Sequence, residues 1–170
     1  MARHVRVTGA NEAAKSLRSV EGRMFRGGVG PVSQGMRKGA SVIVKAWREQ
    51  IKQTTRTQAA AAAHAKYPYI KTGLMAKSVG VYRMKRPGRV NAKVAYRVTV
   101  NTSAVYPRTG DKTGREPYRI AAVAGILEHG RSDMPALGIV RKAFAKSNGQ
   151  ASSTIAAQIT QDLTKILNKL

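Results

Sequence analysis

Apolar positions along the chain change their period twice, from a helical repeat to an alternating one and back. In the first segment Ala14, Leu17, Val20 and Met24 recur at helical spacing, with Asn11 placed as the N-cap. Gly27, Gly28 and Gly30 interrupt that pattern. Pro31 then suits the first turn of a second helix, where its missing N–H is not needed. Val32, Met36, Ala40, Ile43, Trp47 and Ile51 follow at steps of three and four, and Arg37, Lys38, Lys45, Arg48 and Lys52 lie away from that stripe. Gly35 and Gly39 either weaken this helix or mark a close approach of another backbone. Ala59 to Ala63 read as an extension that frays before Pro68, since alanine has the highest helix propensity, or as a low-complexity connection.

The alternating pattern comes next. Val90, Val94, Tyr96, Val98 and Val100 share one parity, and Asn91, Lys93, Arg97 and Thr99 share the other, as in a half-buried strand. Pro87-Gly88 is a turn signal, which makes residues 78–86 the hairpin partner. Residues 107–117 are rich in Gly, Pro and charge and read as an exposed loop. Helical spacing then returns. Pro135 opens a helix through Phe144, Asn148-Gly149 ends it, and Ser152 or Ser153 caps a last amphipathic helix carrying Ile155, Ile159, Leu163, Ile166 and Leu170 on one face. The expected fold class is α+β: a small antiparallel β-sheet flanked by helices, with a long N-terminal helical segment and a C-terminal amphipathic helix. Residues 1–29 form an N-terminal arm and 30–170 a single domain.

Charge changes the picture most. The 170 residues hold 31 Lys+Arg against 8 Asp+Glu, a formal net charge of +23. A chain this basic repels itself and seeks anionic partners, whether nucleic acid, an acidic protein surface or an anionic membrane. Residues 1–58 hold 12 basic and 3 acidic residues, 59–118 hold 12 and 2, and 119–170 hold 7 and 3. The last third is therefore the one expected to pack mainly against protein. The chain has no cysteine, which excludes disulfides and cysteine-ligated metals. No apolar run reaches the roughly 20 residues of a membrane span. The basic N-terminus lacks an apolar signal core, so synthesis and use in a cytoplasm are expected.

Catalytic chemistry finds little support. Glu128, His129 and Asp133 are the most suggestive group, but adjacent side chains diverge and no second histidine lies near, so a polar turn before Gly130 is the preferred reading. His4 and His64 stand alone. Gly27-Gly28-Val29-Gly30 lacks the Gly-Lys-Ser/Thr ending of a phosphate-cradling loop and reads as a hinge. Trp47 belongs to the apolar stripe. No enzyme activity, metal or cofactor is expected. The clearer feature is basic: Arg83, Lys85, Arg86 and Arg89 cluster at the predicted hairpin tip, where they can meet an anionic partner or DNA. Arg108, Lys112 and Arg115 on the long loop form a second set.

Two stretches carry a family resemblance. Tyr67-Pro68-Tyr69-Ile70-Lys71-Thr72-Gly73-Leu74-Met75-Ala76-Lys77-Ser78 resembles a P-x-x-T-G-x-L-x-x-S segment. Ala124-Gly125-Ile126-Leu127-Glu128-His129-Gly130, with Met134-Pro135-Ala136-Leu137 and Arg141-Lys142-Ala143-Phe144, resembles A-x-x-x-E-x-G … P-A-x-x-x-R-x-A-F. Both are similar to the tail-completion and head–tail joining proteins of long-tailed bacteriophages, which include lambda-type minor tail protein Z relatives. The resemblance spans roughly residues 30–170. It departs from the family at His129 and Arg131, and residues 107–117 read as an insertion. It implies structural roles for Thr72, Gly73, Leu74, Ser78, Glu128, Gly130, Pro135, Arg141 and Phe144. Thr72 would cap a short helix, Gly73 permit a tight entry, Gly130 end a segment and Pro135 start the next helix. It further implies a structural virion protein of the neck or tail top, made in the host cytoplasm. Such a protein is a homo-oligomer, a ring of six, that meets the head connector or adaptor and the tail-tube or terminator proteins, with genomic DNA in its channel and no membrane. The alternative from charge alone is a stand-alone basic nucleic-acid-binding protein.

Overall fold

Two long helices laid side by side make the frame, and the other described elements pack against it. A computed structural model describes residues 10–26, 29–61, 73–105, 119–130 and 136–169. The elements are α1 (Ala10–Met24), α2 (Pro31–Ala61), α3 (Leu74–Ser78), β1 (Val79–Arg83), β2 (Tyr96–Val100), α4 (Ile120–His129) and α5 (Ile139–Leu167). The architecture is α+β, with one two-stranded antiparallel sheet.

α2 begins at Pro31, as its sequence favours, and continues into the alanine run to Ala61. It lies antiparallel to α5, because its successive glycines meet successively earlier residues of that helix. A Cβ on Gly35 would come within 3.0 Å of Ile159 Cγ1, and one on Gly39 within 2.4 Å of Ile155 Cγ1 and 2.8 Å of the Ala151 carbonyl. These two glycines therefore bring the helices together more closely than any side chain allows. Ala40, Val44, Trp47 and Ile51 continue the buried face of α2 toward the core.

That core joins Val44, Trp47 and Ile51 to Met75, Ala76, Val79, Val100, Ile120, Val123, Leu127, Ile139 and Ala143. Each fully buried aliphatic side chain contributes about 1.5–3 kcal/mol. Beneath the sheet, Ser33 is fully buried and its Oγ lies 2.6 Å from the Tyr96 hydroxyl, so a polar pair is satisfied where α2 meets β2.

Several sequence expectations are corrected. α1 starts at Ala10, so Asn11 lies inside the helix and is not its cap; Leu17, expected on its apolar face, is 70% exposed. The second strand starts at Tyr96 and not at Val90. Residues Pro87–Val90 instead form a 3-10 turn that ends on Asn91 in the left-handed region (φ 50), and Val90 is exposed. A proline and a left-handed asparagine override the alternation there, because neither continues a ladder. The last two expected helices are one. α5 runs through Asn148 and Gly149 without a break, since buried Ser147 and Ala151 hold both sides of that site in the core and packing outweighs a propensity cost of about 1 kcal/mol. The helix starts at Ile139, so Pro135, which lies outside the described residues, does not start it. Thr72 also lies outside them; the N-cap position of α3 is taken by Gly73 in the left-handed region (φ 65) with no side-chain cap.

Candidate functional site

Two places emerge from the fold as candidates: the junction of α4 with α5, and the β1–β2 hairpin. At the junction the sequence places a carboxylate, a histidine and a glycine in a row. α4 is almost wholly apolar and buries Ile120, Val123 and Leu127, which draws its last turn into the core. Glu128 follows Leu127 into that turn and is buried, 8% exposed, whereas His129 is exposed. The pair is therefore the end of a helix and not the polar turn expected. Gly130 (φ 80) stops α4 and returns its N–H to the Ile126 carbonyl at 2.7 Å.

The chain then comes back alongside, with Leu137 N–H donating to the Leu127 carbonyl at 2.9 Å. This sets the start of α5 against Glu128. α5 has Gly138 in the left-handed region (φ 59) at its N-cap position and no side chain of its own to cap its first turn. Glu128 supplies what is missing. Its carboxylate accepts the Val140 N–H at 2.7 Å and the Arg141 N–H at 3.4 Å, and takes Arg141 Nε at 3.2 Å. A helix N-terminus has unpaired N–H groups and a positive dipole end, so a carboxylate is the group that suits it best. The Arg141 side chain is largely exposed, so its ion pair adds less than the backbone bonds do.

The hairpin shows the opposite use of charge. Val79 pairs with Val100, Val81 with Val98 and Arg83 with Tyr96, and this face turns toward α2. The other face carries Gly80 and Tyr82 opposite Thr99 and Arg97. Tyr82 folds its ring over Gly80, where a Cβ would meet the ring carbons at 3.2–3.4 Å. Exposure rises along β1, from buried Val79 to exposed Tyr82 and Arg83. Past the strand, Met84 N–H still bonds the Ala95 carbonyl at 2.9 Å, and Asn91 N–H bonds the Gly88 carbonyl at 3.1 Å, which fixes the shape of the connection.

Its two limbs differ. The returning limb is anchored: Val94 and Ala95 are buried, and Lys93 pairs with Glu21 of α1 while its Nζ sits 5.1 Å from the centre of the Phe25 ring. The pairing holds the Glu21 carboxyl below its usual range, mainly through the Lys93 hydrogen bond and then its charge. The outgoing limb carries Arg83, Lys85, Arg86 and Arg89, all exposed. Residues 79–100 contain no Asp or Glu. Among the described residues, Lys93 is the one cation of the hairpin with a carboxylate within 4 Å.

The first basic set thus lies exposed along one limb; the structure adds exposed Arg97 beside it and shows Lys93, which was never part of it, paired with Glu21. Sequence reasoning missed both. The signal was present in the acid-free window, but which lysine is neutralised depends on where α1 docks. The second set, Arg108, Lys112 and Arg115, lies outside the described residues. Their segment is flanked by Val105 and Arg119, which form an antiparallel bridge supported by Ile120 N–H to the Ala104 carbonyl at 3.0 Å. Leu74 is half-buried against the core, and Ser78 Oγ bonds the Met75 carbonyl at 2.8 Å. Phe144 is 51% exposed on α5.

Among the described residues, no three His, Cys, Asp or Glu side chains gather into a group that could hold a metal ion. No described helix is long and apolar enough to cross a membrane. No protein-family model, curated protein or solved structure matches the chain.

Proposed function

We propose that this chain is a structural virion protein of a long-tailed phage, placed at the neck or tail top, where it completes the tail and joins it to the head connector as a ring around the DNA path. The observation that carries the reading is the use of the second motif. Its acid, Glu128, is taken up by the first turn of α5. Gly130 and the return of the chain serve the same junction. The motif that suggests the family thus acts as a folding device, which is what an assembly protein requires. Phe144, the motif's aromatic, stays half-exposed, and an exposed aromatic on a long helix suits a contact with a neighbouring subunit.

The test is mass measurement and electron microscopy of the purified protein, together with a protein inventory of the phage particles. Rings, or monomers that assemble only on a connector or tail protein, and presence in the virion support the proposal. Absence from the virion contradicts it. The uncompensated hairpin favours a second reading, a stand-alone nucleic-acid-binding protein. That reading predicts tight, salt-sensitive binding by a monomer that forms no ring.

A further inference from the structure

We infer that the outgoing limb and open face of the β1–β2 hairpin form a preshaped surface for the phosphate backbone of duplex DNA, bound without reading sequence. The inference stands on the hairpin alone and holds or fails independently of the virion proposal. It starts from an inventory of charge. Arg83, Lys85, Arg86, Arg89 and Arg97 are exposed, and among the described residues none has a carboxylate within 4 Å. Lys93, in the same loop, is committed to Glu21 and the Phe25 ring. The fold thus pairs one exposed cation of the loop and leaves five exposed cations without a described carboxylate.

The loop is also preorganised. The Met84–Ala95 and Asn91–Gly88 bonds, together with the anchor of Val94 and Ala95, set its path before any partner arrives. Less ordering cost is then paid on binding. Four of the five cations are arginines, whose planar fork matches phosphate oxygens two at a time.

Three features select the partner. A protein interface needs an apolar or aromatic centre, and the limb offers only Val90 and Tyr82, both part-exposed. Protein–DNA interfaces are polar and strongly positive, as this one is. A single-strand site needs a series of aromatic platforms, whereas here one tyrosine is already laid over Gly80. Contacts to the phosphate backbone carry no sequence information, so no sequence preference follows from this mode of binding.

The experiment must separate this surface from the general effect of net +23. Two variants of the full chain lose the same charge in different places. One carries Arg83→Ser, Lys85→Ser, Arg86→Ser and Arg89→Ser. The other carries Lys45→Ser, Lys52→Ser, Lys142→Ser and Lys146→Ser, which are exposed positions on α2 and α5. Binding to a mixed-sequence duplex is titrated across salt concentrations. Each phosphate contact contributes about 0.9 to the slope of log affinity against log salt, so the hairpin variant should lose about 3 to 4 from the slope and the helix variant well under 1. Lys93→Gln should leave the slope unchanged. Equal losses from the two variants, or no binding by the parent, would overturn the inference. So would displacement of the duplex by polyglutamate, or by single-stranded DNA, at matched charge. If the fourfold hairpin variant does not fold, Arg86→Gln with Arg89→Gln replaces it, with an expected loss of about 2.

Discussion

The α4–α5 junction and the β1–β2 hairpin use charge in opposite ways. At the junction one buried carboxylate meets two backbone N–H groups and an arginine, and nothing is left over. At the hairpin five cations face solvent with no described carboxylate near them. The first arrangement lowers the energy of the fold itself. The second gives the folded chain no such gain and slightly raises its self-repulsion. Charge that the fold does not use is the charge to follow when searching for a partner.

The comparison breaks most sharply at Glu128. Replacing it with Ala strips the first turn of α5 of its cap and leaves a cavity where the carboxylate was. We expect a loss of about 3 kcal/mol, read as a fall of about 6–12 °C in melting temperature. Glu128→Gln keeps one acceptor and should cost less than half of that. An unchanged melting temperature for Glu128→Ala would show that the junction does not depend on its acid.

Gly39→Val tests the frame on which both regions rest. Its side chain would have to displace Ile155 and the Ala151 carbonyl. The expected cost is about 2 kcal/mol by urea unfolding, partly offset by the better helix propensity of valine over glycine. A stabilised variant would mean that α2 and α5 do not approach so closely.

Smaller effects follow from two acids outside the core that the fold does use. Asp162 accepts Gln158 Nε2 at 2.5 Å and Lys165 Nζ at 3.1 Å. Its carboxyl is held below the ordinary 3.8, chiefly by the Gln158 bond and then by Lys165. Glu21 is held below its ordinary 4.5 by Lys93. A depressed carboxyl stabilises the fold at pH values above its unfolded value, and that contribution is lost as pH falls through the folded value. Melting temperature should therefore decline gently as the pH drops below about 4.5, and Glu21→Gln with Asp162→Asn should flatten that limb by lowering the neutral plateau slightly toward the acid value. An acid limb as steep in the double variant as in the parent would contradict the assignment.

Much of the frame was legible in the sequence. Pro31, the stripe from Ala40 to Ile51 and the alternation from Tyr96 to Val100 appear where their spacing places them. What escaped is what depends on distant partners. Asn148-Gly149 reads as an end until α2 is seen holding both sides of it. Val90 reads as strand until Pro87 and Asn91 are seen closing a 3-10 turn. At the candidate sites, the basic cluster was visible because charge needs no fold to be counted. The role of Glu128 was not, because its partners lie 12 and 13 residues further on, at the start of α5.

The most direct test of the division between charge the fold uses and charge it leaves free is a paired measurement on the Arg83, Lys85, Arg86 and Arg89 serine variant. Unfolding midpoint and duplex-DNA salt dependence are recorded in the same buffer. The account predicts a stability within about 0.5 kcal/mol of the parent and a salt slope smaller by about 3 to 4. A variant that loses several kcal/mol while its salt slope stays where it was would show that these cations belong to the fold and that the DNA surface lies elsewhere.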